Sequence, residues 1–192
     1  MTFMKKVLAI LAIVLPLSLN AQILGEKHHL EAGLGVAVPG EMLFDQTSKE
    51  SNTADIYLSY RFDLTPVISV GAIYGFVPPH DGSFQSGEIT VGTKSMYHTL
   101  NAFAEFKLGT FGPMTMLAGA GGGPQYRHVV FTHMIGSSFT GDYFSADLFA
   151  YIGMELLDHL RITVGHFHDL HYPITALPNG APYYQVNVGW SF

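Results

Sequence analysis

The amino-acid sequence predicts an all-β protein, an up-and-down barrel of eight antiparallel strands that crosses a membrane. Three observations predict this fold class. Apolar side chains alternate with polar or small ones nearly everywhere past residue 28, which is the period of a β-strand. Charged residues make up only 12% of the chain, about half of the roughly 25% found in a soluble domain. The connections between the predicted strands also alternate between long and short.

The N-terminal segment, residues 1–21, has the pattern of a cleavable signal peptide. Lys5 and Lys6 precede an apolar run over 7–17, and a small residue stands before the expected cleavage site. The run is shorter than the roughly 20 residues of a membrane-spanning helix. We therefore expect removal of this segment, leaving residues 22–192 as the barrel domain; an uncleaved anchor helix is the alternative.

The composition of the chain excludes several classes of chemistry. The chain has no cysteine, which excludes disulfides, thiolate catalysis and cysteine-based zinc sites. Without Lys5 and Lys6, seven basic side chains face fifteen acidic ones. Because no basic patch is left to neutralise phosphates, we expect no nucleic-acid partner. No cofactor motif is present, and we predict no cofactor.

The first four predicted strands alternate clearly. Over residues 30–38, leucine, valine and alanine on one face of the strand alternate mainly with glycine and glutamate on the other. Residues 54–64 oppose apolar to charged and hydroxyl side chains, and 67–76 and 99–108 repeat the pattern. Each strand has about nine or more residues, the length that a tilted strand needs to cross a membrane.

The last four predicted strands complete the barrel. Glycine blurs the alternation over 114–127, so the sequence leaves the register of this strand open. The alternation returns over 143–156, 161–169 and 183–192. Because lipid leaves no backbone group unpaired, the final strand is expected to pair with the first.

Connection lengths divide the predicted barrel into two ends. The long connections span residues 39–52, 77–92, 131–141 and 168–182. The short ones span 63–66, 109–113 and 157–160. Membrane barrels show this asymmetry, with short turns at one end and long loops at the other. A soluble barrel has no need of it.

Alternation alone does not decide which face points outward, because a soluble lipocalin-type carrier also alternates. The shortage of charges favours apolar side chains facing lipid, with the charged residues inside a narrow lumen. There they would neutralise one another in part. The predicted lumen charge network comprises Glu31, Asp55, Arg61, Asp63, Glu105, Lys107, Asp147, Glu155 and Arg161. We expect these residues to fill the barrel; a thin water path is the alternative.

The chain ends on an alternating aromatic and aliphatic pattern formed by Tyr184, Val186, Val188, Trp190 and Phe192. With this pattern and the stretch Gly153–Thr163, the chain resembles the small eight-stranded outer-membrane β-barrels of Gram-negative-type bacteria, the OmpA/OmpX-like, porin-superfamily type. The resemblance implies residence in the outer membrane, contact with its lipids, and insertion by the barrel-assembly machinery, which reads the terminal strand. The resemblance identifies a fold and a place, which many functions share. The long loops and the absence of a catalytic set predict a non-enzymatic structural or adhesive role through those loops. The resemblance indicates no ligand and no oligomeric state.

The histidines allow two chemical alternatives. His166 and His168 share a strand face and His171 follows, a pattern that suits a metal. Because structural metal sites usually need four convergent ligands, a polar strand end is the favoured explanation, and we predict no metal. The lipid A deacylase family carries a His-x-Ser motif, but no histidine here has Ser two residues on. We therefore predict no catalytic residue, with a lipid acyl hydrolase as the alternative. His80, His128 and His133 are expected in or near loops, and His28 and His29 at a membrane interface.

Overall fold

The computed structural model describes residues 27–39, 48–86, 89–132, 138–169 and 183–192. The described residues form nine β-strands. In chain order these are β1 (His28–Pro39), β2 (Ser48–Glu50), β3 (Thr53–Asp63), β4 (Ile68–Ser86), β5 (Ile89–Phe111), β6 (Met114–Thr132), β7 (Ser138–Leu156), β8 (Leu160–Asp169) and β9 (Tyr183–Ser191). Within these ranges, no helix is long and apolar enough to cross a membrane. The predicted signal peptide lies outside them.

Eight of the strands close into a ring in which every neighbouring pair is antiparallel. The order is β1, β3, β4, β5, β6, β7, β8, β9 and back to β1. The closing ladder runs from Glu31↔Ser191 to Pro39↔Tyr183. The predicted pairing of the last strand with the first is therefore confirmed, and so is the eight-stranded up-and-down barrel.

The barrel carries most of its charged side chains inside, together with several aromatic ones, and its outer surface is mainly apolar. Leu58, Leu148 and Val188 are exposed on the outer surface. The charged side chains of Glu105 and Asp147 are fully buried. An apolar outer band around a polar interior would be unstable in water, because burial of apolar surface drives folding. It suits lipid, which is the predicted orientation.

Within the described residues, four neighbouring strands of the ring are about twice as long as the other four. Strands β4 to β7 have 19 to 23 residues, whereas β1, β3, β8 and β9 have 9 to 12. The excess of about eight residues adds roughly 25 Å at 3.3 Å per residue. We call the end of the barrel from which they protrude the extended end, and the opposite end the turn end.

The protruding sheet, here called the extension, corrects the prediction of loops at this end. It comprises the β4 segment Val77–Ser86, the β7 segment Ser138–Ala146 and the parts of β5 and β6 between them. The predicted loops over 77–92 and 131–141 are thus mostly ladder, up to Ser86↔Ile89 and Thr132↔Ser138. Part of the predicted 39–52 loop is β2, which pairs with β4. Most of the connection predicted over 168–182 lies outside the described residues.

The turn end has three tight connections, as predicted. Gly112 has φ +59° between β5 and β6, a conformation that glycine adopts without strain. Between β7 and β8, Leu157 (φ 54°) and Asp158 (φ 61°) adopt the same left-handed region without being glycine. His159 closes this turn by stacking on Trp190 at 5.3 Å. The contact ties the β7–β8 turn to the terminal strand.

Candidate functional site

Two arginines and three glutamates form an ion cluster inside the barrel, on its turn-end side. Arg61 donates hydrogen bonds of 2.9 Å to Glu105 and to Glu155. Arg161 donates to Glu31 at 2.7 Å and also to Glu105. All five side chains are buried. Charge-assisted bonds of this kind allow carboxylates to stay ionised where water does not reach them.

Two tyrosines add hydrogen bonds to the carboxylates of this cluster. The Tyr57 hydroxyl donates to Glu31 at 2.5 Å, and the Tyr151 hydroxyl donates to Glu105 at 2.6 Å. Glu105 therefore accepts from two guanidinium groups and one phenol, with 0% of its side chain exposed. Satisfying several lone pairs of a buried carboxylate is the condition under which such a group is tolerated.

Two glycines make room for these tyrosine rings. Gly33 lies directly across the ladder from Tyr57, and Gly119 lies across from Tyr151. A Cβ atom at either glycine would collide with the ring of the opposite tyrosine. The glycines that obscured the alternation of β6 in the sequence therefore include one that the ion cluster requires.

A second polar group lies nearer the turn end. Asp63 accepts from Lys107 at 3.1 Å and from Ser69 at 2.5 Å, and its other contact is His29 at 3.2 Å. These side chains are partly exposed except for Ser69, which is buried. Water at the mouth of the barrel screens this group more than the ion cluster.

An aromatic layer lies next to the ion cluster. Phe103, Phe149 and Phe167 pack together inside the barrel, with Phe149 and Phe167 stacked at 5.0 Å. A cavity of about 40 Å³ lies between this layer and the cluster, lined among others by Tyr151 and Arg161. That space holds about one or two waters, so it is not a wide bore.

Asp55 and Asp147 lie one inward position further toward the extended end than Tyr57 and Phe149, respectively. Asp147 accepts from Asn101 at 3.4 Å and from the Tyr183 hydroxyl at 3.3 Å. Asp55 is 2% exposed, and its Oδ1 has no hydrogen-bond partner in the described part of the chain. The nine charged residues predicted as one network therefore lie in separate groups along the lumen.

The histidines considered for metal do not form a described site. His166 points outward, is exposed, and packs against the Tyr184 ring at 5.0 Å. The structure does not describe the His168 side chain, and His171 and His133 lie outside the described residues. Among the residues that are described, no three or more His, Asp or Glu side chains are grouped to hold a metal.

The outer surface of β6 and β7 carries a polar group that the sequence did not reveal. His128 Nδ1 lies 2.7 Å from Asp142 Oδ1, and the Tyr126 hydroxyl donates to the same oxygen at 2.7 Å. Hydrogen bonding by His128 holds the pKa of the Asp142 carboxyl below its usual range. His80 and His128, expected in or near loops, lie within β4 and β6. The outer polar group lies in the extension, beyond the apolar band.

The terminal strand presents its alternate residues to the outside. Val186, Val188 and Trp190 are exposed there, and Tyr184 is half-buried. The backbone N–H of Phe192 donates to the Leu30 carbonyl at 2.8 Å. The outward face of β9 thus belongs to the apolar band that would contact lipid.

Together, the closed ring, the polar interior and the apolar band define the class as an eight-stranded outer-membrane β-barrel fold. No family model and no curated protein sequence matches the chain. Among solved structures, a major outer membrane protein from Thermus thermophilus is similar, with a TM-score of 0.58 and 12% identity, over 86% of this chain and 99% of that one.

Two further structures share the fold. Ail, the attachment invasion locus protein of Yersinia pestis, has a TM-score of 0.53 and 12% identity, over 88% of this chain and 100% of its own. Neisserial surface protein A has a TM-score of 0.52 and 9% identity, over 85% and 95%. A second Ail structure, with a TM-score of 0.51, 14% identity and coverage of 88% and 100%, holds the heparin analogue sucrose octasulfate. At these identities the likeness establishes the fold alone.

Proposed function

We propose that the chain is an integral, non-enzymatic outer-membrane protein that presents the extension at the cell surface for binding. Residues 1–21 would direct export, and residues 22–192 would form the barrel. The turn end would face the periplasm, as short turns do in this class. The observation that carries the proposal is the protruding sheet, which adds roughly 25 Å of ordered strand that crossing the membrane does not require.

Cysteine labelling of whole cells tests this orientation. The natural chain has no cysteine, so Lys94→Cys in the extension and Thr110→Cys at the turn end each introduce a single thiol at an exposed position. A membrane-impermeant maleimide should label the first variant and not the second. Labelling of neither variant in cells that contain the folded protein would refute surface presentation.

We also propose that the lumen is closed. The ion cluster and the aromatic layer fill successive levels of the barrel, and eight strands leave little bore. Purified protein in planar bilayers should give no steady single-channel conductance. Reproducible conductance steps would favour the narrow-pore alternative.

The proposed partners are outer-membrane lipids and the barrel-assembly machinery. Trp190 and Val188 face outward on the terminal strand, where both partners would meet them. Replacing Trp190 and Phe192 by serine should lower the yield of folded barrel in cells more than it changes the stability of barrel refolded in detergent. Equal folded yields in cells would contradict recognition of the terminal strand.

Binding of sulfated sugars, as Ail binds sucrose octasulfate, is not favoured for this chain. The basic residues of the described extension are Lys94 and Arg127, and Arg127 lies over the Tyr97 ring at 4.8 Å. The paired strand β2 adds Lys49, which stands next to Glu50. Asp81 is directly opposite Lys94. A surface with so few available cations has little affinity for a polyanion.

A lipid-modifying enzyme is the second candidate, favoured by one observation. The hydrogen-bonded pair of His128 and Asp142 is the arrangement by which a carboxylate orients a general base. Mass spectrometry of outer-membrane lipids from cells with wild-type or His128→Gln protein tests it. An acylation change seen only with wild type would support the enzyme, and identical spectra would support the non-enzymatic role.

A further inference from the structure

The cavity of about 40 Å³ between the aromatic layer and the ion cluster has oxygen-bearing side chains on its wall. They include Glu31 of β1, Ser59 of β3, Thr163 of β8 and Asn187 of β9. Glu31, Ser59 and Asn187 are buried. The space is large enough for about one or two waters, and a bare alkali cation is of similar size. The cavity can therefore hold a small ligand that binds to oxygen atoms.

The ion cluster next to this cavity is not electrically balanced. Three glutamates face two arginines, so the bonded groups carry one excess negative charge. The hydroxyls of Tyr57 and Tyr151 donate to these carboxylates but are neutral. The adjacent group supplies no spare ammonium, because Lys107 already pairs with Asp63. An unbalanced buried charge is strongly destabilising, so one further positive charge beside the cluster would stabilise the barrel.

Asn187 places an acceptor without a donor on the cavity wall. Its Nδ2 donates to Gln185 Oε1 at 3.3 Å, whereas its Oδ1 is buried and has no hydrogen-bond partner among the described residues. Gly35, directly across the ladder, leaves room for this oxygen, and a Cβ atom there would collide with it. Burying an unpaired oxygen is costly. Amide and carbonyl oxygens are also the atoms that replace water around an alkali cation.

Arg161 is a cationic group on the same wall. Its guanidinium donates to Glu31 and Glu105, and its Nε lies 3.6 Å from Glu155. Its charge is therefore already counted against the carboxylates of the ion cluster. Because the cluster keeps an excess negative charge, it repels an anion and attracts a cation.

We propose that the cavity binds one monovalent alkali cation, with the Glu31 carboxylate and the Asn187 Oδ1 among its ligands. One positive charge brings the ion cluster to neutrality, whereas a divalent ion would leave an excess positive charge. The carboxylate oxygens of Glu31 each accept one hydrogen bond and keep a second lone pair for the ion. This site lies inside the barrel and does not depend on the proposed surface role of the extension.

Unfolding of the full-length barrel by urea in lipid vesicles tests the proposal. Sodium chloride is compared with choline chloride at the same ionic strength and pH, because choline is too large for the cavity. If the folded state alone binds one cation, each tenfold rise in sodium above its dissociation constant should lower the unfolding equilibrium constant by about tenfold. Choline should have no such effect. Equal effects of the two salts would overturn the inference.

Two variants locate the sodium dependence. Asn187→Leu removes an oxygen ligand, and Glu31→Gln removes the excess charge, so each should abolish the difference between sodium and choline. Asn101→Leu is the matched control, because Asn101 bonds Asp147 on the far side of the aromatic layer, and it should keep the difference. A sodium dependence that survives in Asn187→Leu and in Glu31→Gln would place the ion elsewhere and contradict the proposal.

Thallium(I), which replaces potassium and scatters anomalously, locates the ion directly in crystals of the wild-type barrel. An anomalous peak in the cavity, in contact with Glu31 and Asn187, is the expected result. The rival source of the missing charge is a proton, on a glutamate of the cluster or on His29. Absence of the peak, with a stability that depends on pH and not on sodium, would establish the proton and overturn the cation site.

Discussion

Two buried carboxylates in the same lumen, Glu105 and Asp55, have opposite surroundings. Glu105 accepts from Arg61, Arg161 and Tyr151. Asp55 is as deeply buried, but its Oδ1 has no partner in the described part of the barrel. The comparison predicts that the number of bonded donors, rather than burial, distinguishes a stabilising buried carboxylate from a destabilising one.

The largest expected effect comes from removing one of the arginines that bond Glu105. Arg161→Met leaves Glu31 without a guanidinium partner and removes one of two from Glu105. Deleting one partner of a buried pair costs about 3–5 kcal/mol, and we expect that loss in urea unfolding of the barrel in lipid vesicles.

Lys107→Met is the matched control. Lys107 pairs with Asp63 at the partly exposed turn end, where an ion pair contributes about 0–1 kcal/mol. Equal losses in the two variants would contradict the contrast between the ion cluster and the mouth of the barrel.

The second effect acts on the same cluster through shape rather than charge. Gly119→Ala should displace the Tyr151 ring from its position over the glycine and weaken its bond to Glu105. Overpacking of this kind costs about 1–3 kcal/mol. Gly92→Ala in the extension is the control, because its Cβ would meet only ordinary contacts beginning at 3.7 Å. A free energy of unfolding that is unchanged in both variants would mean that the ring position does not matter.

The fold was largely predictable from the sequence, because the side chains of a membrane barrel must suit lipid on one face of each strand and a polar lumen on the other. Alternation gave the strands, and the shortage of charges decided which face meets lipid. The tight turn predicted over 157–160 also places Glu155 directly opposite Arg161, as the structure does. The sequence does not predict how the charged residues divide into separate groups, because that division depends on strands far apart in the chain, such as β3 and β7.

The extension was not predicted because part of it lies beyond the apolar band, where a strand does not need lipid-facing apolar side chains. His80, Asp81, Gly82 and Ser83 are typical of a loop, and only pairing to β5 and β2 makes them strand. The contact of His128 with Asp142 was missed for the same reason. Continuing the β6–β7 ladder to a hairpin would have placed the two residues opposite each other, as the structure does.

The third prediction is a gain, or no change, in the free energy of unfolding, whereas the first two are losses. Asp55→Asn replaces a buried carboxyl whose Oδ1 has no described hydrogen-bond partner, so the barrel should become more stable by about 1 kcal/mol or stay unchanged. Glu105→Gln, the same chemical change at the well-bonded carboxylate, should destabilise it. Measured at one pH in the same vesicles, equal changes in the free energy of unfolding would abolish the distinction between the two carboxylates.

The smallest effect concerns Asp142, a carboxylate that is bonded but exposed. Its pKa is lowered in the folded protein, first by the hydrogen bond to His128 and next by that to Tyr126. A lowered pKa contributes stability above the unfolded pKa of 3.8, and this contribution is lost as pH falls through the folded value. NMR titration of the side-chain carboxyl should therefore give a midpoint below 3.8, rising toward it in His128→Gln. Because water screens this pair, Asp142→Asn should lower the free energy of unfolding in urea at neutral pH by only a small fraction of the loss in Arg161→Met. A loss comparable to that of Arg161→Met would show that the number of bonded donors outweighs exposure, and the contrast drawn from Glu105 and Asp55 would then extend to the surface.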